Sequence, residues 1–363
     1  MAGPLEGLTI IELAGLGPGP FAGMMLADHG ARVIRVERPG NLSVPNDPLT
    51  RNRESIALDL KQEEGKAIVR KLAERADGLV EGYRPGVMEK LGLGPEALLG
   101  LNPRLVYGRI TGWGQDGPLA QAAGHDINYL ALTGLLSCIG VADRPPVPPL
   151  NLVADYGGGG LMLAFGMVSA LLGVQRGGQG QVIDAAMTDG AALTGALIYG
   201  LRAAGLWRDE RGANLLDGGD PIYGCFACAD GLEVSVGAIE PQFRAALFAG
   251  LGLAGAPTRA EIAAAFAQLG RAEWLERFAG VDACVAPVLK LSEAAEHPHN
   301  EERRTFIELD GVVQPGPAPR YSLTPTDPPR PPRREGEDGA VILAEFGFSE
   351  ADIAGLQDRN VLR

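Results

Sequence analysis

The sequence predicts an open α/β fold of the doubly wound type, followed by a smaller domain of α+β character. In the first half, β-rich apolar segments alternate with helical segments, as expected of a parallel sheet with crossover helices. From Pro221 onward the pattern changes to hairpin-like strands followed by helices. The length of 363 residues suits about two domains of ~150 residues each. A hydrophobic content of 46% can bury a large core and excludes wholesale disorder.

The first predicted unit is a strand, a turn, a helix and a second strand. Leu8–Ala14 is an apolar run that stops at the glycine- and proline-rich turn Gly15–Pro20. Phe21–His29 then has helical periodicity, and Ala31–Glu37 is the next strand. This βαβ order implies parallel pairing through a right-handed crossover.

The same alternation continues along the chain and changes in the second half. The remaining predicted elements are strand Ser55–Leu60, helix Gln62–Ala76, strand Gly78–Glu81, helix Val87–Leu91, strand Leu105–Thr111, helix Leu161–Leu172, strand Gln181–Met187, helices Gly190–Gly205, Pro241–Gly250 and Ala260–Leu269, a strand-like AVILAEF segment after residue 339 and a final short helix. We therefore predict a large domain over residues 1–200, a linker over 201–220, a small domain over 221–312, a proline-rich linker over 313–335, and a return to the large domain over 336–363.

Charge and cysteine content exclude several classes of protein. The formal net charge of −13 argues against a non-specific nucleic-acid binder, although a local arginine cluster could still bind phosphate. Four cysteines are too few for a disulfide scaffold of this length. Cys225 and Cys228 form a lone C-x-x-C pair, which we interpret as core residues of a strand rather than a metal or redox site.

The sequence predicts a cytoplasmic protein of a reducing compartment. The N-terminus shows no signal-peptide pattern. The longest uninterrupted apolar run, Leu161–Val174, is shorter than the ~18–20 residues that cross a bilayer. We therefore expect no membrane span.

The turn after the first strand indicates a phosphorylated adenosine ligand. Its glycine pattern fails the dinucleotide fingerprint, because Pro20 stands where the third glycine belongs. Arg38 follows the second strand, where an arginine suits a ribose phosphate better than a free hydroxyl. NADP and the 3′-phospho-ADP of coenzyme A both fit, and a merely solvated arginine is the competing interpretation.

Three residues in separate motifs are candidates for acid–base chemistry. His125 lies in the loop segment GHDINY, Asp155 precedes the glycine tetrad Gly157–Gly160, and Glu240 lies in GAIEPQ. A structural histidine and a helix-capping aspartate are the alternative interpretations. The spacing of these residues does not decide between the catalytic and the structural interpretations.

These stretches belong to a set of motifs that extends over nearly the whole chain. The motifs are Gly3–Leu8, Ala14–Pro20, Val33–Pro39, Leu58–Lys61, Glu81–Gly86, Thr111–Gly114, Gly124–Tyr129, Pro149–Gly160, Gly180–Asp184, Arg211–Asn214, Gly237–Gln242 and Pro317–Arg320. In them the sequence closely resembles the 2-methylacyl-CoA racemases of the CoA-transferase family III. The segments GHDINY, NLVADYGGG and GAIEPQ are those that separate the racemases from the transferases.

The resemblance implies a fold, a substrate and a set of roles. The fold would be that of family III: a Rossmann-like large domain and a small α+β domain, in a homodimer of interlocked chains with active sites at the subunit junction. The substrate would be a 2-methyl-branched acyl-CoA, with no cofactor besides the coenzyme A it contains. His125 and Asp155 would transfer protons, and Glu240 would hydrogen-bond the imidazole. The coenzyme A contacts would be Arg38, Leu58, Asp59, Leu60, Lys61, Gly82, Tyr83, Arg84 and Lys90, with Gly124, Asp126, Ile127, Asn128 and Tyr129 at the thioester end.

Two departures from the family pattern bear on binding. Lys90 stands where relatives often have arginine, which keeps the charge but loses the fork geometry. The helix Thr194–Leu206 has no methionine, so a preference for acyl-chain length that depends on methionine there would differ.

Three alternative functions compete with racemisation. A family III CoA-transferase would use Asp155 as a covalent nucleophile and would not need His125 paired with Glu240. An NADP oxidoreductase would use Arg38, but the failed glycine fingerprint weighs against it. A non-catalytic acyl-CoA binder would keep Arg38 and Arg84 and exchange no proton. Inversion next to a thioester needs an acid–base group on each face of the carbon, and a histidine with an aspartate supplies both.

Overall fold

The computed structural model describes residues 2–40, 44 and 46–363. These residues form two compact units, which we describe separately. The first unit comprises residues 1–133, 149–195 and 306–363, and the second comprises residues 134–148 and 196–305. Residues 134–148, which lie inside the predicted large domain, thus group with the second unit.

The strands form three sheets. In chain order they are β1 Thr9–Leu13, β2 Arg32–Glu37, β3 Arg53–Ala57, β4 Gly78–Glu81, β5 Val106–Thr111, β6 Val182–Ala186, β7 Gly224–Ala227, β8 Glu233–Val236, β9 Val285–Pro287, β10 Phe306–Leu309 and β11 Val312–Pro315.

The helices lie between and after these strands. In chain order they are α1 Pro18–Asp28, α2 Glu63–Ala73, α3 Val87–Lys90, α4 Pro95–Leu101, α5 Asp126–Leu132, α6 Leu161–Gln175, α7 Met187–Thr194, α8 Ala196–Ala203, α9 Pro241–Leu251, α10 Arg259–Phe266, α11 Arg271–Arg277, α12 Leu291–Ala294, α13 Pro298–Glu302, α14 Gly339–Glu345 and α15 Glu350–Asp358. Short 3₁₀ turns span Pro48–Thr50, Leu135–Cys138 and Leu215–Asp217, and a π-helix spans Leu152–Gly160.

The central sheet of the first unit is fully parallel and doubly wound, as predicted. Its strand order is β3-β2-β1-β4-β5-β6, and every neighbouring pair runs parallel. The chain moves outward from β1 to β3 and then returns to β4 beside β1. The winding direction therefore reverses between β1 and β4, and in such sheets ligands bind outside the carboxyl ends of the strands at that point.

The core of the first unit draws on residues from both ends of the sequence. Ile11 and Ile34 on the strands are fully buried, and Ile342 and Leu362 belong to the same apolar cluster. Leu362 also pairs with Leu58 in an antiparallel bridge. Residues 339–362 are thus structural members of the first unit.

One long apolar helix departs from the sequence expectation. The π-helix continues directly into α6, so Leu152–Gln175 is one helix of 24 residues, and its most apolar stretch of 18 residues has a mean hydropathy of 1.7. By length and composition it could cross a membrane, although half of its most apolar window is buried inside the protein. The buried core helix of a globular protein meets the same test. The apolar run identified in the sequence begins at Leu161, after the glycine tetrad, and is therefore shorter than the helix.

Two other predicted elements require correction, and some helices were not predicted. The predicted helix Gly190–Gly205 is two helices, α7 and α8, separated at Gly195. The AVILAEF segment is helix α14 rather than a strand, because Ile342, Leu343 and Phe346 bury one helical face against the core. Helix α4 was not predicted, although Pro95 at its first position is a recognised start signal. The segment GHDINY, interpreted as a loop, contains the start of helix α5 at Asp126.

The second unit has its own core and a small antiparallel sheet. Its strand order is β7-β8-β9, and Phe226, Phe266 and Trp274 pack together behind it. Cys228 is buried there but Cys225 is exposed, so the prediction that both are core residues is wrong for Cys225. In the first unit, the structure has no helix or strand between β11 and α14, as the proline-rich sequence predicts, but residues 313–315, the start of the predicted linker, belong to strand β11.

Candidate active site

A deep cleft lies at the carboxyl edge of the central sheet, at the point where its winding reverses. The cavity measures about 770 Å³ and is lined by the segments that follow β1, β4 and β5. These segments are Gly15–Pro20, Gly82–Pro85 and Gly112–Trp113. The cleft therefore lies where ligands bind in doubly wound sheets, which is outside the carboxyl ends of the strands at the point where the strand order reverses.

The glycine turn after β1 is held by a buried network of ion pairs. The Glu12 carboxylate pairs with Arg35 at 2.6 Å and with Arg53 at 3.0 Å. The Arg53 guanidinium also donates to the Pro20 carbonyl. A side chain at Gly23 would overlap the Glu12 carboxylate, so α1 can pack this closely only with glycine there. Buried charges of this kind are stable only when paired, and the network therefore gives the turn a single position.

His125 is placed at the cleft by the start of helix α5. It precedes the helix and its backbone N–H donates to the Asn128 side chain at 3.1 Å. The Tyr129 hydroxyl donates to the Gly124 carbonyl, and its ring meets Trp113 edge-on at 4.8 Å. A side chain at Gly112 would overlap the Tyr129 ring. The glycines around His125 thus make room for the aromatic pair that fixes its backbone.

Asp155 faces the same cleft from the π-helix and is half-buried. Its carboxylate accepts a hydrogen bond from the Asn151 amide at 3.3 Å. Burial raises the pKa of the Asp155 carboxyl, and the nearby charge of Asp126 raises it further, while the Asn151 hydrogen bond and His125 oppose the shift. A carboxylate with a raised pKa is a stronger base and, once protonated, can return the proton.

The π-helix is positioned by close backbone contact. Gly158 lies directly against the backbone of Gly190 and Ala191 in α7, and a side chain on either glycine would overlap the other helix. π-helical turns are uncommon and often occur at functional sites. The glycine tetrad is therefore a packing requirement that places Asp155 at the cleft wall.

A cluster of charged groups lies beside the cleft at the end of β2. Arg38 and Lys61 both lower the pKa of the Asp59 carboxyl, although the main cause is a hydrogen bond from the Lys61 N–H at 3.0 Å. The Tyr83 ring lines the cleft, and its pKa is raised by burial against the opposing charges of Arg35 and Arg38. The charge of Arg38 thus acts on Tyr83, a residue of the cleft wall.

The structure brings together about half of the predicted site residues. The cleft is lined by Gly82, Tyr83, Arg84, Gly124, His125, Asn128, Tyr129 and Asp155. The remaining predicted residues of the first unit are not among its lining residues: Arg38, Lys61, Lys90 and Ile127 are exposed, Asp59 and Leu60 are part-buried, and Leu58 and Asp126 are buried. Glu240 belongs to the second unit, where it precedes α9. The roles assigned to all of these residues stay predictions.

Two supporting residues were missed by the sequence analysis. Asn151 bonds the Asp155 carboxylate, and its position one helical turn before Asp155 was a usable signal. Glu81 is buried, pairs with Arg109 at 2.7 Å and accepts the Tyr83 N–H at 2.7 Å, which fixes the cleft segment after β4. Its only signal was a charged residue at the end of an apolar strand.

Among residues 2–40, 44 and 46–363, no three His, Cys, Asp or Glu side chains are grouped closely enough to hold a metal ion.

A parallel sheet of this order, with a cleft at its reversal point, defines an α/β protein of the Rossmann-like class. The sequence profile of the CoA-transferase family III matches residues 5–339, and the chain belongs to that family.

Individual relatives agree with this assignment. The chain is 48% identical to the alpha-methylacyl-CoA racemase of Mus musculus, over 99% of this chain and 97% of the relative. It is 47% identical to the alpha-methylacyl-CoA racemase of Homo sapiens over the same shares. The crystal structure of a CaiB/BaiF family protein from Brucella suis superposes with a TM-score of 0.82 at 28% identity, covering 95% of this chain and 100% of that one.

Proposed function

We propose that this chain is an isomerase that interconverts the (R) and (S) forms of 2-methylacyl-CoA thioesters. The observation that carries the proposal is the placement of His125 and Asp155 in one cleft, with the pKa of the Asp155 carboxyl raised. The high identity to two racemases favours this activity over CoA transfer.

The proposed reaction is a 1,1-proton transfer by two bases. One of the pair removes the α-proton from one face of the thioester and leaves an enolate. The other, already protonated, delivers a proton to the opposite face, so the configuration inverts and the two residues exchange protonation states. In the reverse direction the roles of His125 and Asp155 are exchanged. No other cofactor takes part in this scheme.

The enolate oxygen requires hydrogen-bond donors. The N–H groups of Asp126 and Ile127 lie in the first turn of α5, ahead of the first backbone hydrogen bond of the helix, from Asn128 to the His125 carbonyl. We propose that these groups stabilise the enolate, each donor contributing about 3–4 kcal/mol.

Glu240 and the coenzyme A contacts complete the proposal. We propose that Glu240 hydrogen-bonds the His125 imidazole and fixes its tautomer, on the strength of the GAIEPQ motif. We propose that Arg38 and Lys61 bind the 3′-phospho-ADP portion. Both act electrostatically on the Asp59 carboxyl, and Arg38 also acts on Tyr83 in the cleft wall.

The homodimer of interlocked chains is likewise a proposal. It rests on the family membership and on large apolar side chains that remain exposed in a single chain, such as Phe165, Leu193 and Leu197. An active site at the subunit junction and a cytoplasmic location belong to the same proposal.

The decisive experiment is α-proton exchange in deuterium oxide. Each enantiomer of a 2-methylacyl-CoA is incubated with the protein, and label and configuration are followed together. Wild type should incorporate deuterium and racemise, and His125→Ala should stop inversion in both directions. That variant should still exchange, with retention, the enantiomer whose proton faces Asp155; Asp155→Ala should show the mirror pattern. Transfer of CoA to a free acid without α-deuterium would instead make Asp155 a nucleophile and end the racemase proposal.

A further inference from the structure

The Asp126 side chain does not have the place that a coenzyme A contact would have. It is 4% exposed and is not among the cleft-lining residues. Its Oδ2 accepts the backbone N–H groups of Ala154 and Asp155, each at 2.8 Å. These two N–H groups belong to the first turn of the π-helix, where a helix lacks internal acceptors.

The other carboxylate oxygen of Asp126, Oδ1, is buried and has no hydrogen-bond partner among the described residues. Leaving a buried carboxylate oxygen unpaired costs stability, and an amide or hydroxyl could accept the same two N–H groups without a full charge. A carboxyl group in this position therefore indicates a role besides capping.

We propose that Asp126 is a positioning residue, which ties the backbone of Asp155 to the start of α5 through these two hydrogen bonds. His125 and Asp126 are consecutive, so one short segment then carries the first base and places the second. This inference rests on the proposed function, because it explains how the positions of the two proposed bases, His125 and Asp155, are fixed relative to each other.

The charge of Asp126 adds an electrostatic effect to the geometric one. It raises the pKa of the Asp155 carboxyl, in the same direction as burial. The charged and titratable groups on the elements packed against the π-helix are Asp28 on α1, Tyr107 and Arg109 on β5, His125, Asp126 and Tyr129 at α5, Asp184 on β6 and Asp189 on α7. Of these groups, Asp126 and His125 are the ones whose charges shift the Asp155 pKa, in opposite directions.

Two variants separate the two effects, and a third is the matched control. Asp126→Asn keeps an oxygen acceptor and removes the charge, whereas Asp126→Ala removes both. Asp77→Asn is the control, because Asp77 also accepts a backbone N–H at 2.8 Å, from Thr9 at the opposite edge of the sheet. Each variant is studied as the full chain, with urea unfolding to establish that it is folded.

The first measurements need no activity. In Asp126→Ala, hydrogen exchange at the amides of Ala154 and Asp155 should accelerate about tenfold or more, as expected when a net hydrogen bond of about 1.4 kcal/mol is lost. In Asp126→Asn, the Asp155 carboxyl, followed by ¹³C NMR in the ligand-free protein, should titrate at lower pH than in wild type. Asp77→Asn should change neither. Unchanged amide exchange in Asp126→Ala, or an unchanged Asp155 titration in Asp126→Asn, would overturn the inference.

The activity measurements distinguish positioning from coenzyme A binding. In Asp126→Asn, the acid limb of the pH profile should move to lower pH for the enantiomer deprotonated by Asp155, and the affinity for free coenzyme A should stay within about twofold. A loss of coenzyme A affinity with an unshifted profile would make Asp126 a binding residue and refute the positioning role. If wild type exchanges no α-proton, the proposed function fails, while the hydrogen-exchange and NMR results still decide the place of Asp126.

Discussion

At the scale of single residues, the unusual chemistry of the cleft lies in the environment of one carboxyl group. Asp155 is half-buried beside Asp126, and both burial and the like charge raise its pKa. Its neutral form is therefore favoured in the folded protein more than in the unfolded chain. The ionised Asp155 carboxyl therefore lowers the folding stability of the protein at neutral pH.

Replacing this carboxyl should accordingly stabilise the protein while strongly reducing racemisation. The raised pKa means that ionised Asp155 opposes folding above the pKa of the unfolded chain, fully so once the pH exceeds the folded value. Asp155→Asn should therefore be more stable than wild type at pH 7.5, with the difference shrinking as the pH falls toward 4. Racemisation should drop by about 10²-fold or more. Urea unfolding at several pH values measures the first effect and chiral analysis of the product the second.

Asp59→Asn is the matched control for that experiment. The pKa of Asp59 is lowered rather than raised, so its replacement should destabilise the protein at pH 7.5, again with a difference that vanishes at low pH. Equal effects of the two substitutions would contradict the assigned environments.

A second residue-scale prediction concerns Arg38. If its guanidinium contacts the 3′-phosphate of coenzyme A, that contact contributes about 1.5–3 kcal/mol. Arg38→Ala should then weaken binding of coenzyme A by about 10- to 150-fold, with little effect on the 3′-dephospho form. Titration calorimetry with both ligands measures the difference. Arg202→Ala, which removes an exposed arginine paired with Asp209, should leave both affinities unchanged, and equal losses in Arg38→Ala would exclude the phosphate contact.

At the scale of elements, strands were predicted better than irregular helices. The six strands of the central sheet lie within a few residues of their predicted places, because each is an apolar run bounded by turn residues. The π-helix was not predicted, because four consecutive glycines normally indicate a loop. Its geometry depends on contact with Gly190, more than 30 residues away, and local patterns do not report such contacts.

Local sequence patterns were also insufficient to predict how the candidate site is assembled. The sequence motifs identified His125 and Asp155 as separate candidates, and the resemblance to the family implied their roles in proton transfer. Their common cleft follows from the order in which β1, β4 and β5 lie in the sheet. The supporting contacts of Glu81 and Asp126 involve buried charges, whose partners come from tertiary packing and cannot be identified from spacing.

The contact between the π-helix and α7 supplies an element-scale prediction. A methyl group at Gly190 would overlap the carbonyl of Gly158. Gly190→Ala should therefore destabilise the protein by about 1–3 kcal/mol and displace Asp155, with a loss of racemisation beyond the loss of folded protein. Gly173→Ala in α6 is the control, because nothing lies within 4 Å of the added methyl, and it should be neutral or stabilising by up to about 1 kcal/mol. Urea unfolding and assays of the folded fraction test both; wild-type stability in Gly190→Ala would show that the two helices separate easily.

At the scale of the whole molecule, the proposal is a dimer that does not dissociate on dilution. Interlocked chains cannot separate without unfolding, and the irregular segment between β11 and α14 supplies chain for such threading. Sedimentation at nanomolar concentration should find the dimer with no monomer in equilibrium. Mixing two differently tagged preparations should give no mixed dimers under native conditions and should give them after unfolding and refolding. A folded monomer would contradict the interlocked arrangement.

The division of the first unit into three stretches of sequence has a consequence for its biosynthesis. Strands β1 to β6 are synthesised before residues 196–305, yet the apolar cluster beneath them includes Ile342, Leu343 and Leu362. During translation the nascent sheet therefore has part of its apolar face uncovered while the ribosome makes the whole of the intervening unit. Exposed apolar surface of this kind is a target for chaperones and a source of aggregation. The growing chain is thus most vulnerable in the interval between completion of β6 and emergence of α14.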